Sequence, residues 1–212
     1  MQHPTQLSVK DLKCIRGGRT VFEGLNLRVK CGSGIELAGP NGAGKSSLLR
    51  VLAGFIAPAK GQILLDGGQD ELSIGEQCHY VGHLNGVKRA FTVRENLEFW
   101  NEFLETETNA TSTGVDRALE TFDLAYLHDI PANLLSAGQS RRLGLARLAL
   151  GYRPLWLLDE PSVSLDEASR KALGRVIAAH MKSGGMVIAA THAPLGVKFS
   201  QVLRLGQRGS IK

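Results

Sequence analysis

Eight consecutive residues, Gly39-Pro40-Asn41-Gly42-Ala43-Gly44-Lys45-Ser46, place glycine at the first and sixth positions and follow it with a cation and a hydroxyl. Such a loop wraps a polyanion. Its glycines let successive backbone N–H groups turn inward on phosphate oxygens, and the helix that follows offers its positive end to the same charge. Lys45 would neutralise the β and γ phosphates of a nucleoside triphosphate, and Ser46 would ligate Mg²⁺. Gly39, Pro40, Asn41, Gly42, Ala43, Gly44, Lys45, Ser46 and Ser47 are therefore the candidate phosphate contacts. A chain of this composition yields about 0.015 such matches by chance.

A second constellation complements the first. Leu155-Trp156-Leu157-Leu158 is an apolar run that ends in Asp159-Glu160, so both acids stand at the carboxyl end of a buried strand, where α/β sheets bind ligands. Asp159 suits the Mg²⁺ shell, and Glu160 suits a general base that polarises an attacking water. Between the two motifs lies Leu135-Ser136-Ala137-Gly138-Gln139. Ser136 and Gln139 have the spacing of a capping box, and a helix start with Gly138 inside it exposes N–H donors to an anion.

The elements that must position these residues follow from periodicity. Alternation through Leu7, Val9 and Leu12, and again through Val21, Leu25, Leu27 and Val29, predicts half-exposed strands in an N-terminal β-layer. Residues 35–38 form a short apolar strand before the glycine loop, with a helix over 46–53 after it. Residues 155–158 and 186–190 read as fully buried strands, separated by a helix over 166–182 that ends at Gly184-Gly185. The texture of 91–151 differs, with helical spacing throughout. Thr92 and Glu95 form a capping box there, and Leu97, Phe99, Trp100, Phe103 and Leu104 supply an apolar face expected in a core. A helical run over 141–150 follows the second box, and the polar stretch 105–113 is expected to be a surface loop. One domain results, with a core of about 1–90 and 152–212 and a helical subdomain of about 91–151.

Composition narrows the classes. The 212 residues are 43% apolar and 21% charged, an ordinary globular balance rather than that of a disordered chain. Three cysteines (Cys14, Cys31, Cys78), with no C-x-x-C pair, argue against a disulfide framework or a thiolate zinc site. No apolar run approaches the ~20 residues needed to span a bilayer. The first residues lack the apolar stretch of a secretory signal and the Arg-rich character of a mitochondrial leader, so the bacterial cytoplasm is expected ahead of the mitochondrial matrix. A net charge of +5 suits nucleotides, nucleic acid or an anionic membrane equally and decides nothing.

A P-loop, an L-S-x-G-Q segment and an apolar run ending in Asp-Glu, in that order, resemble the nucleotide-binding domains of ATP-binding cassette (ABC) proteins. The resemblance covers nearly the whole chain. It implies an α/β P-loop NTPase fold of ABC type: a RecA-like core, an N-terminal antiparallel β-layer and an inserted helical subdomain. It also implies an ATPase that uses ATP and Mg²⁺ and works as a homodimer or pseudo-dimer. In that family the signature, here Ser136, Gly138 and Gln139, faces the γ-phosphate held by the other subunit. Residues 161–166 are similar to the D-loop at the dimer interface, and Thr191-His192 resembles the switch histidine, which makes His192 a catalytic candidate with Lys45 and Glu160.

Two positions depart from that pattern. Where most ABC domains carry a glutamine after the strand ending Tyr80-Val81-Gly82, this chain has His83, and Arg16 falls where an aromatic residue usually stacks on adenine. A guanidinium can stack instead. These departures, with Arg16-Gly17-Gly18-Arg19, Gly82-His83, Gly86, Lys88 and Thr92-x-x-Glu95-Asn96-Leu97-x-Phe99, resemble the ATP-binding subunits of cytochrome c maturation haem exporters. That likeness implies docking on the transmembrane subunits CcmB and CcmC, an indirect link to the haem chaperone CcmE, no nucleic acid, and a peripheral location on the cytoplasmic face of the bacterial inner membrane. An ABC ATPase with another cargo and a soluble ABC ATPase are the competing readings. Cys78, His79 and His83 as haem ligands are disfavoured, because neighbouring strand residues point to opposite faces.

Overall fold

The computed structural model describes residues 4–104 and 112–206, with side chains in the second segment from 114 onward. Two sheets organise the chain. The first is antiparallel, in the order β2-β1-β4, from β1 (Gln6–Arg16), β2 (Arg19–Lys30) and β4 (Lys60–Asp66). The second runs β5-β6-β7-β3-β8, from β3 (Gly34–Ala38), β5 (Cys78–Val81), β6 (Leu155–Asp159), β7 (Met186–Ala190) and β8 (Gln201–Arg204). Every pairing in it is parallel.

All ten residues of β6 and β7 are buried, as expected of central strands covered on both faces. Their side chains alternate between two cores. Leu155, Leu157, Ile188 and Ala190 pack with α1 (Lys45–Leu52) and the β-layer, whereas Trp156, Leu158, Val187 and Ala189 pack with the helices on the opposite face. Those helices are α2 (Val93–Leu104), α3 (Ser112–Thr121), α4 (Ala137–Ala146) and α5 (Glu167–Lys182). The first three lie between β5 and β6 in the chain, within the stretch assigned to the helical subdomain.

Local chemistry sets several helix starts. Thr92 Oγ1 accepts the Glu95 N–H at 3.1 Å while Glu95 Oε2 accepts the Thr92 N–H at 2.7 Å. Asp166 caps α5 by accepting from the Ser169 N–H at 2.8 Å. Among the described residues no helix is long and apolar enough to cross a membrane.

Four expectations shift. The first turn of α4 begins at Ala137, four residues earlier than the periodicity indicated, and the helix tightens to a 3₁₀ turn over Arg147–Ala149. Strand β5 stops at Val81, leaving Gly82 in the following loop. Of the polar stretch 105–113, residues 105–111 lie outside the described residues, and Ser112 already opens α3.

The apolar face of α2 is the substantive correction. Leu97 and Leu104 are buried, but Phe103 is 67% exposed and Phe99 and Trp100 are half-buried. The buried stripe runs through Val93, Asn96, Leu97, Asn101 and Leu104. Asn96 belongs there because its amide bonds the Lys88 N–H and the Lys88 and Thr92 carbonyls at 2.7–3.0 Å. The aromatic rings form a separate ridge, in which Phe99 stacks on Phe103 at 6.4 Å and Lys88 Nζ sits 4.1 Å over the Phe99 ring.

Candidate functional site

The glycine loop leaves the carboxyl end of β3 and turns directly into α1. Gly44 is the N-cap of that helix at φ 101°, and a Cβ there would lie 2.6 Å from Val21 Cγ1, so the turn needs glycine on both counts. No acidic residue occupies the first turn of α1, which leaves its positive end uncompensated. Lys45 is buried, and its Nζ donates to the Gly39 carbonyl at 2.7 Å and the Pro40 carbonyl at 3.2 Å. The ammonium thus already sits inside the loop.

Residues from distant parts of the chain meet there. A cavity of roughly 590 Å³ is lined by residues 40–47 together with Arg16, His83, Asp159 and Glu160, and also by Val21, read from the sequence as a strand residue, and Arg50, which the sequence reading did not single out. Ser46 Oγ donates to Asp159 Oδ1 at 3.1 Å. Asp159 is 1% exposed, and its Oδ2 has no hydrogen-bond partner among the described residues; the nearest cationic candidate, His83 Nε2, is 3.9 Å away. A buried carboxylate oxygen with spare lone pairs beside a hydroxyl is a hard-oxygen donor set that fits Mg²⁺. No group of three or more His, Cys, Asp or Glu among the described residues is arranged to hold a metal ion by itself.

Glu160 follows on the same strand end with φ 48°, a left-handed conformation unusual for a side-chain-bearing residue. Its N–H donates to the Ala190 carbonyl at 2.8 Å. Its carboxylate accepts from the His192 N–H at 3.3 Å and lies 3.4 Å from His192 Nε2. The same imidazole nitrogen is 3.2 Å from Asn41 Oδ1 and 3.5 Å from Lys45 Nζ. His192 therefore bridges the phosphate loop and the acid at the end of β6.

The signature residues do not line this cavity. Ser136 Oγ and the Gln139 side chain close a reciprocal capping box on α4, at 3.2 and 2.8 Å. Gly138 packs against the loop 161–166, where a Cβ would stand 3.1 Å from the Ser164 carbonyl. Within one chain the P-loop and the signature are separate surfaces.

Arg141 is the residue that sequence reasoning missed. It is 4% exposed and donates to the carbonyls of Gly82, Glu160 and Pro161 at 2.8, 2.7 and 3.2 Å, and to Asn85 Oδ1 at 3.0 Å. Backbone acceptors carry no sequence signature. The only available signal was a cation at a position of α4 that leads into the buried Leu143, Gly144 and Leu145.

A glycine cradle ahead of α1, two acids ending β6, a histidine after β7 and an antiparallel layer over the first face together define an ABC-type ATPase. The ABC transporter family model matches residues 22–163. Solved structures agree in fold: a putative ABC transporter ATP-binding protein from Pyrococcus furiosus has a TM-score of 0.79 at 23% identity, covering 95% of this chain and 98% of its own. The ATP-binding cassette MJ0796, in a dimeric post-hydrolysis state with ADP and Pi, gives 0.79 at 22% identity over 94% of both chains. Among curated relatives, the cytochrome c biogenesis ATP-binding export protein CcmA of Rhodopseudomonas palustris is 48% identical over 94% of this chain and 98% of its own length. CcmA of Paramagnetospirillum magneticum is 47% identical over 94% of both. The chain belongs to the ABC transporter family, and within it to the CcmA group.

Proposed function

We propose that this chain hydrolyses ATP at a site shared by two copies of itself and thereby drives the cytochrome c maturation haem export complex. The convergence of Ser46, Asp159 and Glu160 on the P-loop cavity, with His192 against Asn41, Lys45 and Glu160, is the observation that carries the reading. Backbone N–H groups of residues 40–47 and the α1 terminus hold the phosphates, and Lys45 exchanges its loop carbonyls for β and γ oxygens. Ser46 and Asp159 would hold Mg²⁺, which would supply neutralisation of the phosphate charge. Glu160 accepts a proton from water as its oxygen attacks the γ phosphorus; the β–γ bridging bond breaks toward ADP, and phosphate leaves. His192 holds the Glu160 carboxylate and the γ-phosphate in register. Arg16 and Val21 lie where the base would rest, with the guanidinium stacking on it.

Ser136, Gly138 and Gln139 act on the partner copy's γ-phosphate, since each lies outside the cavity of its own chain. The membrane partners are CcmB and CcmC, with CcmE engaged through them, and the chain sits peripherally on the cytoplasmic face of the inner membrane. His83, on the loop after β5, takes the place of the usual glutamine next to Asp159. The segment between β5 and β6 acts as the helical subdomain. Glu160→Gln tests the assignment: turnover should fall at least ~10²-fold, the contribution of a positioned base, while ATP is retained and the dimer accumulates. Hydrolysis by that variant at the normal rate overturns it.

A further inference from the structure

The guanidinium of Arg141 connects three segments that the reaction needs in register. Its Nη2 reaches the carbonyls of Glu160 at 2.7 Å and Asp159 at 3.4 Å, and its Nε reaches that of Pro161 at 3.2 Å. These three successive carbonyls converge on one group about Glu160, whose φ is 48°. The opposite edge of the guanidinium, Nη1, holds Gly82 O at 2.8 Å and Asn85 Oδ1 at 3.0 Å, on either side of His83. Asn85 in turn donates to Ser140 Oγ at 3.2 Å, which returns the network to α4. No side-chain carboxylate accepts from Arg141 among the bonds of the described residues. Its hydrogen-bonding capacity is spent on main-chain geometry and one amide.

The main chain of Glu160 is thus held from two sides, its N–H by Ala190 on β7 and its carbonyl by Arg141 on α4. Among the described residues its carboxylate has only His192 as a hydrogen-bonding restraint. A left-handed residue that bears a side chain persists only where its surroundings over-determine it. Releasing the carbonyl lets φ relax and swings the carboxylate off the line of attack. We propose that Arg141 is a positioning residue that fixes the Glu160 carboxylate in its reactive orientation and ties that orientation to the His83 loop. The inference rests on Glu160 being the general base.

The test compares R141Q, R141K, E160Q and the double variant R141Q/E160Q of the full-length chain. Rates are measured across ATP concentration, with single-turnover assays for the residual activity of the E160Q background. R141Q should lower kcat at least tenfold with KM for ATP within twofold, and R141K should fall between it and the parent, since an ammonium keeps the charge but cannot span both segments. R141Q should slow E160Q by less than twofold, because a residue acting through Glu160 has nothing left to position. An R141Q chain with the parent's kcat, a change confined to KM, or a further tenfold loss in the E160Q background each overturns the inference while leaving Glu160 as the base. If E160Q itself hydrolyses normally, the reading of Glu160 falls and the inference falls with it. Should R141Q fail to fold, the same criteria apply to R141K.

Discussion

Acid should unfold this protein through two histidines rather than through its carboxylates. His79 on β5 is 3% exposed and donates to the Gly151 carbonyl at 3.0 Å, and His180 on α5 is 6% exposed and stacks on Trp156 at 3.8 Å with a 5° interplanar angle. Burial holds His79 down to about 3 and His180 down to about 4, against an ordinary value of 6.5. Below pH 6.5 the unfolded chain binds protons that the folded chain refuses, so stability falls as pH falls until each folded-state value is reached. Each group contributes about 1.4 kcal/mol per pH unit. Because the unfolded imidazoles are only half protonated at pH 6.5, the pair should remove about 3 kcal/mol between pH 6.5 and 5.0, a large share of the about 5–15 kcal/mol that stabilises a typical domain. Hydrogen bonds from Ser73 and Ser169 lower Glu76 and Asp166, whose contributions are lost as pH falls from their ordinary values of 4.5 and 3.8 toward the lowered ones. They leave this window untouched. Urea unfolding at pH 7.5, 6.5, 5.75 and 5.0 reads the slope directly. His79→Gln, which keeps a donor for Gly151 but cannot titrate, should roughly halve the slope. Flat stability from pH 6.5 to 5.0, or an unchanged slope in the variant, would refute the reasoning.

Two further outcomes follow from the geometry. His192→Ala removes the bridge among Asn41, Lys45 and Glu160 but keeps the backbone N–H that Glu160 accepts, so kcat should fall about 10²–10³-fold, as when one donor at developing charge is lost. A loss under threefold in steady-state assays would take His192 out of the reaction. On α2, Leu97→Ala should cost about 2–5 kcal/mol in urea melts, whereas Phe103→Ser, on the exposed ridge, should stay within about 0.5 kcal/mol; equal costs would contradict the orientation of that helix.

Legibility in the sequence tracked how local each signal is. The phosphate loop, both capping boxes and the buried strands β6 and β7 are written in contiguous residues, and each formed close to where pattern placed it. The family resemblance extended this to the whole fold and to the CcmA group. What periodicity missed was decided by neighbours far along the chain. Asparagine 96 entered the core because the backbone around Lys88 needed its amide, which turned Phe99 and Phe103 outward. The edge strand β8 is only four residues long and half-polar, and it forms by pairing with β3. Arg141 bonds mostly carbonyls, and any residue supplies those.

Each ATP should lie between the P-loop of one copy and the signature of another. Mixing Lys45→Ala chains with Gly138→Asp chains tests it most directly, because each homodimer has two damaged sites and a mixed dimer has one intact composite site. With free exchange at equal amounts, half the dimers are mixed and each has one working site of two, so about a quarter of wild-type ATPase activity should return. Recovery near that level is the expected result. Two inactive chains that stay inactive after confirmed exchange would place both elements in the same chain's site and contradict the account.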